Sequence, residues 1–519
     1  MNRSQAGIQG SHPQPVNAPD LGRQIIQEWE RHLLENLLSR LDQAEIDALA
    51  AFAVLDQPFW WGMARDLLSE NRAATAPGSP PALNFQALLP HWHHLSLIDH
   101  QTTDNLGNSW YRIHPMVCEV VLERQSALQL REFNRLIADY FAAPFVAEAR
   151  RLLKEQYEGE TPAWDGEAEA LARHPRGPVY LWTHQTEDMR FAHWSLDRAL
   201  KWQEHLFQSG QYEAADDIVN ATWAVLARWG QAGRAKALLQ RDADVLRGHR
   251  HASNLANLAT LLRQEGQWKI ALENYNQAIR VFARLGAKQQ LAASLSEISN
   301  LHRDLGQHRR AFSEQNAALK IRLALGDQEG QAISLNQLAI LYRQRKNFHQ
   351  ALHCNGTAEA FFRKSANQTQ LAQVLQTKGG ILIALSLHHQ ALACLQESLE
   401  INHRIENQSG LADNLVEMGR VLIHLGEMDR ARAVIEESTK IRTKSGGPDL
   451  SLNFQVLGLL FERQGDYAAA LDHYQQARQV LSHSRHIDVR SLKARIWRVH
   501  WLHFYHSVRD RLKQLAARP

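Results

Sequence analysis

The chain has 519 residues, a formal charge of +3 and an ordinary hydrophobic share of 44%, which allows more than one domain and excludes wholesale disorder. No run of eighteen apolar residues occurs, and Met1-Asn2-Arg3 leads into polar residues rather than a signal-peptide core, so the expectation is a cytoplasmic protein without a membrane partner. Three scattered cysteines, Cys118, Cys354 and Cys394, exclude a disulfide framework and a CxxC metal site.

Residues 1–22 hold Gly10, Ser11, Pro13, Pro15 and Pro19 and read as a flexible leader. Helical periodicity then covers Ile25–Leu41, Gln43–Ala53, Trp60–Leu68 and Phe85–Trp92. The alternating runs Leu95–Asp99 and Trp110–Ile113, joined through the turn-rich Asp104–Asn108, predict a hairpin. Pro115 suits the first turn of a helix carrying Val117, Val120, Val121 and Leu122. Helices followed by a hairpin is the order of a winged helix, assigned to residues 23–135. Phosphate contacts need Lys or Arg, and none lies between Arg72 and Arg112, so this module is not expected to read DNA. Leu95-Ser96-Leu97-Ile98 followed by Tyr111-Arg112-Ile113-His114-Pro115-Met116-Val117 resembles the winged-helix module of STAND signal-transduction ATPases, the NB-ARC-like family. In that family a histidine at the place of His114 can contact ADP. Here no Gly-Lys dipeptide occurs, so the phosphate-holding P-loop is missing, and His114 reads as a packing residue.

A helical connector with a loop is expected over 136–195 and irregular helical repeats over 196–250. Prolines are absent between Pro178 and Pro448, as continuous helical packing requires. From 251 to 483 six helix pairs recur at about 40 residues, with turns at Gly266, Gly306, Lys346, Ser386, Gly426 and Gly465. An alanine follows each turn five residues on: Ala271, Ala311, Ala351, Ala391, Ala431 and Ala470. Small residues keep register where helices approach, as at Ala259, Ser299, Ala339, Gly379, Gly419 and Gly458. Lys346 and Ser386 cost little in place of glycine if the turn is not forced to positive φ. Leu255-x-x-Leu258-Ala259 through Gly266, Ala271, Tyr275 and Ala278 resembles the tetratricopeptide repeat, TPR, in its longer-stepped variety. The fold class expected is mostly α, a TPR solenoid preceded by a small winged-helix-like α+β module and closed by a capping helix over 484–519. The cap is read from Ile496, Trp497, Trp501, Phe504, Tyr505 and Val508.

No Gly-x-Ser-x-Gly, His-Glu-x-x-His or Gly-x-Gly-x-x-Gly is present, so neither an enzyme nor a cofactor site is expected. His91-Trp92-His93-His94 lacks the further ligands that zinc requires. By resemblance, the first helices of TPR repeats line a concave groove. The partner-binding groove is assigned to Thr260 and Arg263 of repeat one, Ser296, Asn300 and Arg303 of repeat two, and Asn336 and Arg343 of repeat three. The three arginines recur at one repeat position, and amides beside them can pair with a peptide backbone. Gly380, Ile383, Val416 and Ile423 would turn the groove apolar farther on. The function expected is a non-enzymatic scaffold for an acidic protein or peptide, a regulatory part of a STAND-like system whose NTPase or effector is another chain. The alternative is a nucleic-acid-associated regulator using the basic C-terminal helix.

Overall fold

The computed structural model describes residues 31–516 apart from 56, 70–82, 105–106, 157–164, 175–176, 185–188, 366, 406, 445–449 and 482–487. The expected leader lies outside the described residues. Two compact units divide the chain, Met1–Thr222 and Trp223–Pro519.

In the first unit, helices Gln43–Leu55, Trp61–Ser69 and Phe85–His94 precede strands β1 (Ile98–Thr103) and β2 (Ser109–Ile113) and the helix Pro115–Glu123. The strands pair antiparallel from Ile98 opposite Ile113 to Thr103 opposite Ser109. A third strand is reduced to one bridge, in which Phe59 and Tyr111 exchange two backbone hydrogen bonds of 2.8 Å. Strand β1 starts later than the alternation suggested, because Leu95, Ser96 and Leu97 close the preceding helix. Their N–H groups donate to the carbonyls of His91, His93 and Trp92, with Ser96 at φ 58°. Phe52 stacks on Phe59 at 4.1 Å and meets Trp92 edge-on, which roots the hairpin in the helices. His114 caps the helix after the hairpin: its Nδ1 accepts from the Met116 N–H at 3.3 Å.

A reciprocal cap starts the 30-residue helix Ala127–Gln156: Ser126 Oγ accepts from the Gln129 N–H, and Gln129 Oε1 from the Ser126 N–H. This helix runs across the boundary expected near 135. One hydrophobic core therefore joins Phe52 and Trp92 to Phe145, Trp202 and Ala221. Within it, His205 stacks on Phe141, bonds through Nδ1 to Asn134 Oδ1 at 2.9 Å, and is 8% exposed. Burial pushes its imidazole down to about 4, so the folded unit prefers it neutral. The stability that this contributes is complete above the unfolded value near 6.5 and is lost as pH falls toward 4. On linkage grounds the loss is on the order of 2 kcal/mol. Comparing acid unfolding of the wild type with His205→Gln checks this; parallel pH profiles would refute it.

The second unit repeats one motif. Its first and second helices are Gly248–Gln264 with Trp268–Leu285, Lys288–Asp304 with His308–Leu325, and Gln328–Gln344 with Phe348–Phe362. Repeats four to six follow as Gln368–Ala384 with His388–Arg404, Gln408–Leu425 with Met428–Lys444, and Leu450–Gln464 with Tyr467–Leu481. Each first helix ends in a left-handed residue: Gly266 at φ 77°, Gly306 at 71°, Gly426 at 84° and Gly465 at 82°. The Gln267 N–H then reaches back to Leu262 O at 2.8 Å, closing the last turn. Lys346 at φ 59° and Ser386 at 62° adopt the same conformation. The turn is thus forced to positive φ after all, and these two residues carry a strain of roughly 1 kcal/mol or more that glycine avoids.

Small residues sit where helices cross. A Cβ built on Gly379 would lie 2.8 Å from Leu395 Cγ, one on Gly419 2.5 Å from Ile435 Cγ1, and one on Gly458 2.6 Å from Tyr474 Cε1. A buried polar series accompanies the apolar contacts. Ser398 Oγ and Ser438 Oγ donate to the carbonyls of Ala372 and Ala412, and Asn414 and Asn453 amides donate to those two hydroxyls.

The C-terminal helix Asp488–Ala516 packs through Leu492, Ile496 and Val499 against the last repeat. The aromatic stripe expected to form the cap turns the other way: Trp497, Trp501, Phe504 and Tyr505 are all more than half exposed. Covering uses the three aliphatic residues, because their spacing of four and three places them on one side of the helix.

Candidate binding surface on the first helices

The arginines expected to form a ladder differ in what they meet. Arg263 Nη1 lies 2.9 Å from Asp304 Oδ2, and its Nη2 3.6 Å from Glu297 Oε2. Arg303 reaches the other oxygen of the same Asp304 at 3.3 Å and Gln337 Oε1 at 3.4 Å. One carboxylate therefore ties repeat one to repeat two and neutralises much of both guanidinium groups. Asp304 occupies the position of Gln264 and Gln344 in the neighbouring repeats, so the 40-residue register could have marked it as an added charge beside the arginines.

Arg343 is half-buried, and among the described residues no carboxylate lies within ion-pair distance of it. Its Nη1 lies 2.5 Å from where a Cβ on Gly380 would stand, so the absence of a side chain there makes room for the guanidinium. Burial holds Arg343 below the ordinary arginine range, with Glu417 opposing and Arg420 and Arg303 reinforcing. Glu417 itself is engaged by Arg420 Nη1 at 3.0 Å.

The other expected groove residues separate into two groups. Thr260 is partly exposed, and its hydroxyl bonds to Ala256 O at 3.0 Å and Tyr275 Oη at 2.9 Å. Asn300 is likewise partly exposed. Ser296 and Asn336 are 6% and 2% exposed and do not line an open wall. Asn336 instead accepts at Oδ1 from Asn355 Nδ2 at 3.2 Å inside repeat three. Val416 and Ile423 are buried in one cluster and Ile383 in another, so the apolar groove wall expected in repeats four and five is core. The reason is common to all five residues: a first helix packs against its own partner and against both adjacent repeats, leaving a narrower free strip than one amphipathic face implies.

A second cationic group, not anticipated from sequence, surrounds the turn of repeat two. Gly306, Gln307, His308, Arg309, Arg310 and Arg345 line an open cavity of about 630 Å³. Among the described residues no group of three or more His, Cys, Asp and Glu side chains could hold a metal ion, and no helix is long and apolar enough to cross a membrane. His93 Nδ1 bonds to Ile98 O, which engages the middle of the histidine cluster.

The tetratricopeptide repeat matches residues 250–324, 290–364 and 410–482, and the second unit is built of such repeats. No curated protein matches the chain. Among solved structures, a STAND protein with a tetratricopeptide repeat sensor from Pyrococcus horikoshii is similar at 15% identity and a TM-score of 0.42. That similarity covers 87% of this chain and 66% of the other, just under two thirds of its length. A Rap protein complexed with competence and sporulation factor is similar at 14% identity and a TM-score of 0.42, over 70% of this chain and 98% of that one. BtubC from P. vanneervenii is similar at 20% identity and a TM-score of 0.34, over 44% of this chain and 92% of that one.

Proposed function

We propose that this protein is a non-enzymatic adaptor whose repeats hold an acidic segment of a protein partner along their first helices, centred on Arg343. It would serve as the regulatory or sensing part of a STAND-like signalling system whose NTPase or effector is a separate chain. Stacked repeats present extended surfaces suited to such binding. The observation that carries the reading is the contrast along the arginine series. Asp304 pairs with both Arg263 and Arg303, whereas Arg343 lies over Gly380 with no carboxylate at ion-pair distance among the described residues, Glu417 acting on it only from farther off and against Arg303 and Arg420. A guanidinium in that state gains most from an incoming carboxylate, which it can hold in a bidentate pair.

Arg343→Ala is expected to weaken the partner about tenfold or more, the worth of a charge-assisted hydrogen bond, with little change in melting temperature. Arg263→Ala should do the reverse, leaving affinity nearly intact and costing about 1–2 kcal/mol of stability by stripping Asp304 and Glu297 of their shared cation. Capture of a partner from native lysate by the full chain, followed by titration with each variant, reads both effects. Undiminished affinity in Arg343→Ala would remove the first helices from consideration.

The nucleic-acid reading of the C-terminal helix has less support. Arg498 is paired with Glu462, Arg495 lies over the Tyr474 ring, and Trp497, Trp501 and Phe504 meet edge-to-face rather than presenting parallel platforms for bases.

A further inference from the structure

The turn between the helices of repeat two, together with the start of repeat three's turn, concentrates cations away from the first-helix surface. Arg309, Arg310, Arg345 and Lys346 are exposed, and among the described residues none of them takes part in an ion pair. Arg345 is positioned rather than loose: its guanidinium lies 4.8 Å from the centre of the Phe312 ring, which Tyr342 supports edge-on at 4.8 Å. Arg310 Nη1 donates to Gln307 Oε1 at 3.1 Å, which fixes a second guanidinium at the rim. Beneath the turn, His302 is 5% exposed and its Nδ1 has no hydrogen-bond partner; His308 Nδ1 is also buried and unpartnered. Gln307 gives the following helix no side-chain cap, so the first-turn amides of His308, Arg309 and Arg310 keep their hydrogen-bonding capacity.

Four of the six repeats place glycine at the left-handed turn residue, whereas repeats three and four place Lys346 and Ser386 there, so repeat three is the one that adds a cation at this point.

We infer that this cavity binds a phosphoryl group, held by Arg309, Arg310 and Arg345 with Lys346 adding charge. A carboxylate carries one negative charge and satisfies one guanidinium fork. A phosphate monoester carries nearly two charges and three acceptor oxygens, which suits an open cavity lined by three arginines. The same chemistry reaches the site from a free polyphosphate or from a phosphorylated side chain of a protein.

Two probes separate these sources: inorganic pyrophosphate, and a phosphoserine peptide compared with its unphosphorylated form, each titrated into the full chain at about 0.15 M salt. At least one phosphorylated probe is expected to bind, about tenfold more weakly in Arg310→Gln/Arg345→Gln. Tighter binding of the peptide marks a protein-borne phosphate, and tighter binding of pyrophosphate a free one. Lys346→Gly is expected to bind severalfold more weakly while melting about 2–4 °C higher, since it loses a cation and releases the turn strain. A folding defect cannot produce that combination. Failure of both probes to bind, or undiminished binding in the Arg310/Arg345 variant, would overturn the site without touching the role proposed for Arg343.

Discussion

Gly458→Val is expected to destabilise the last repeat by roughly 3 kcal/mol or more, whereas Gly356→Ala, another glycine within a helix of the same array, is expected to stabilise its repeat by about 0.5–1 kcal/mol. The difference lies in what each absent Cβ would meet. At Gly458 it would stand 2.6, 2.7 and 2.9 Å from three ring atoms of Tyr474. That ring is held in place. Tyr474 is fully buried, its hydroxyl donates to Glu462 Oε2 at 2.9 Å, and the Arg495 guanidinium lies 5.7 Å from the ring centre. Valine adds two methyl groups to the clash and a stiff χ1. At Gly356 nothing lies within 4 Å, so only the gain in helix propensity remains. Because each repeat contacts mainly its neighbours, the damage should stay local. Amide exchange should accelerate across Leu450–Gln464 and Tyr467–Leu481 and stay unchanged in repeat one. Equal protection of the last repeat in Gly458→Val and wild type would show that the helices can separate at little cost.

How much of this was legible in the sequence follows from what a period can report. The 40-residue step located every turn, and the small residues at Gly379, Gly419 and Gly458 announced the close crossings that the structure contains. Residue type misled where it was read in place of register. Ser296 and Asn336 are polar, which by type alone points outward, yet they stand on the buried side of their helices. Gln315 and Asn355 are fully buried at the position that Tyr275 holds in repeat one. Lys346 stands where glycine does in four repeats, a register that signals a left-handed backbone, yet residue type alone suggests that lysine costs little there. The cations around Arg345 are illegible for a different reason: they come from two successive turns, 40 residues apart in sequence, which helical periodicity does not connect. In the first unit, nothing in the alternation of Leu95–Asp99 distinguished a strand from a helix closure, because Leu95 and Leu97 are apolar in either role.

Asn355→Leu should cost roughly 3 kcal/mol although leucine is apolar and of similar size, and the loss should be recoverable in two separable steps. Asn355 Nδ2 donates to Asn336 Oδ1 at 3.2 Å and to Val374 O at 3.0 Å, binding the second helix of repeat three to its own first helix and to that of repeat four. Leucine removes both donors and leaves the Asn336 oxygen buried without a partner, worth about 1–3 kcal/mol. It also adds a steric term. In repeats four and five the same position holds Leu395 and Ile435, and both face a glycine, Gly379 or Gly419, whose missing Cβ makes room for them. Repeat three has Ala339 there, so a leucine at 355 would meet a methyl group in a space that repeat four leaves empty. Adding Ala339→Gly should restore the steric part, and adding Asn336→Leu the polar part. In a thermodynamic cycle each pair should fall short of the sum of its single costs by about 1 kcal/mol or more. If Asn355→Leu alone were neutral, the amides would be tolerated passengers rather than the link between repeats three and four. Strict additivity would show instead that the repeats accept either chemistry without matching it across the interface.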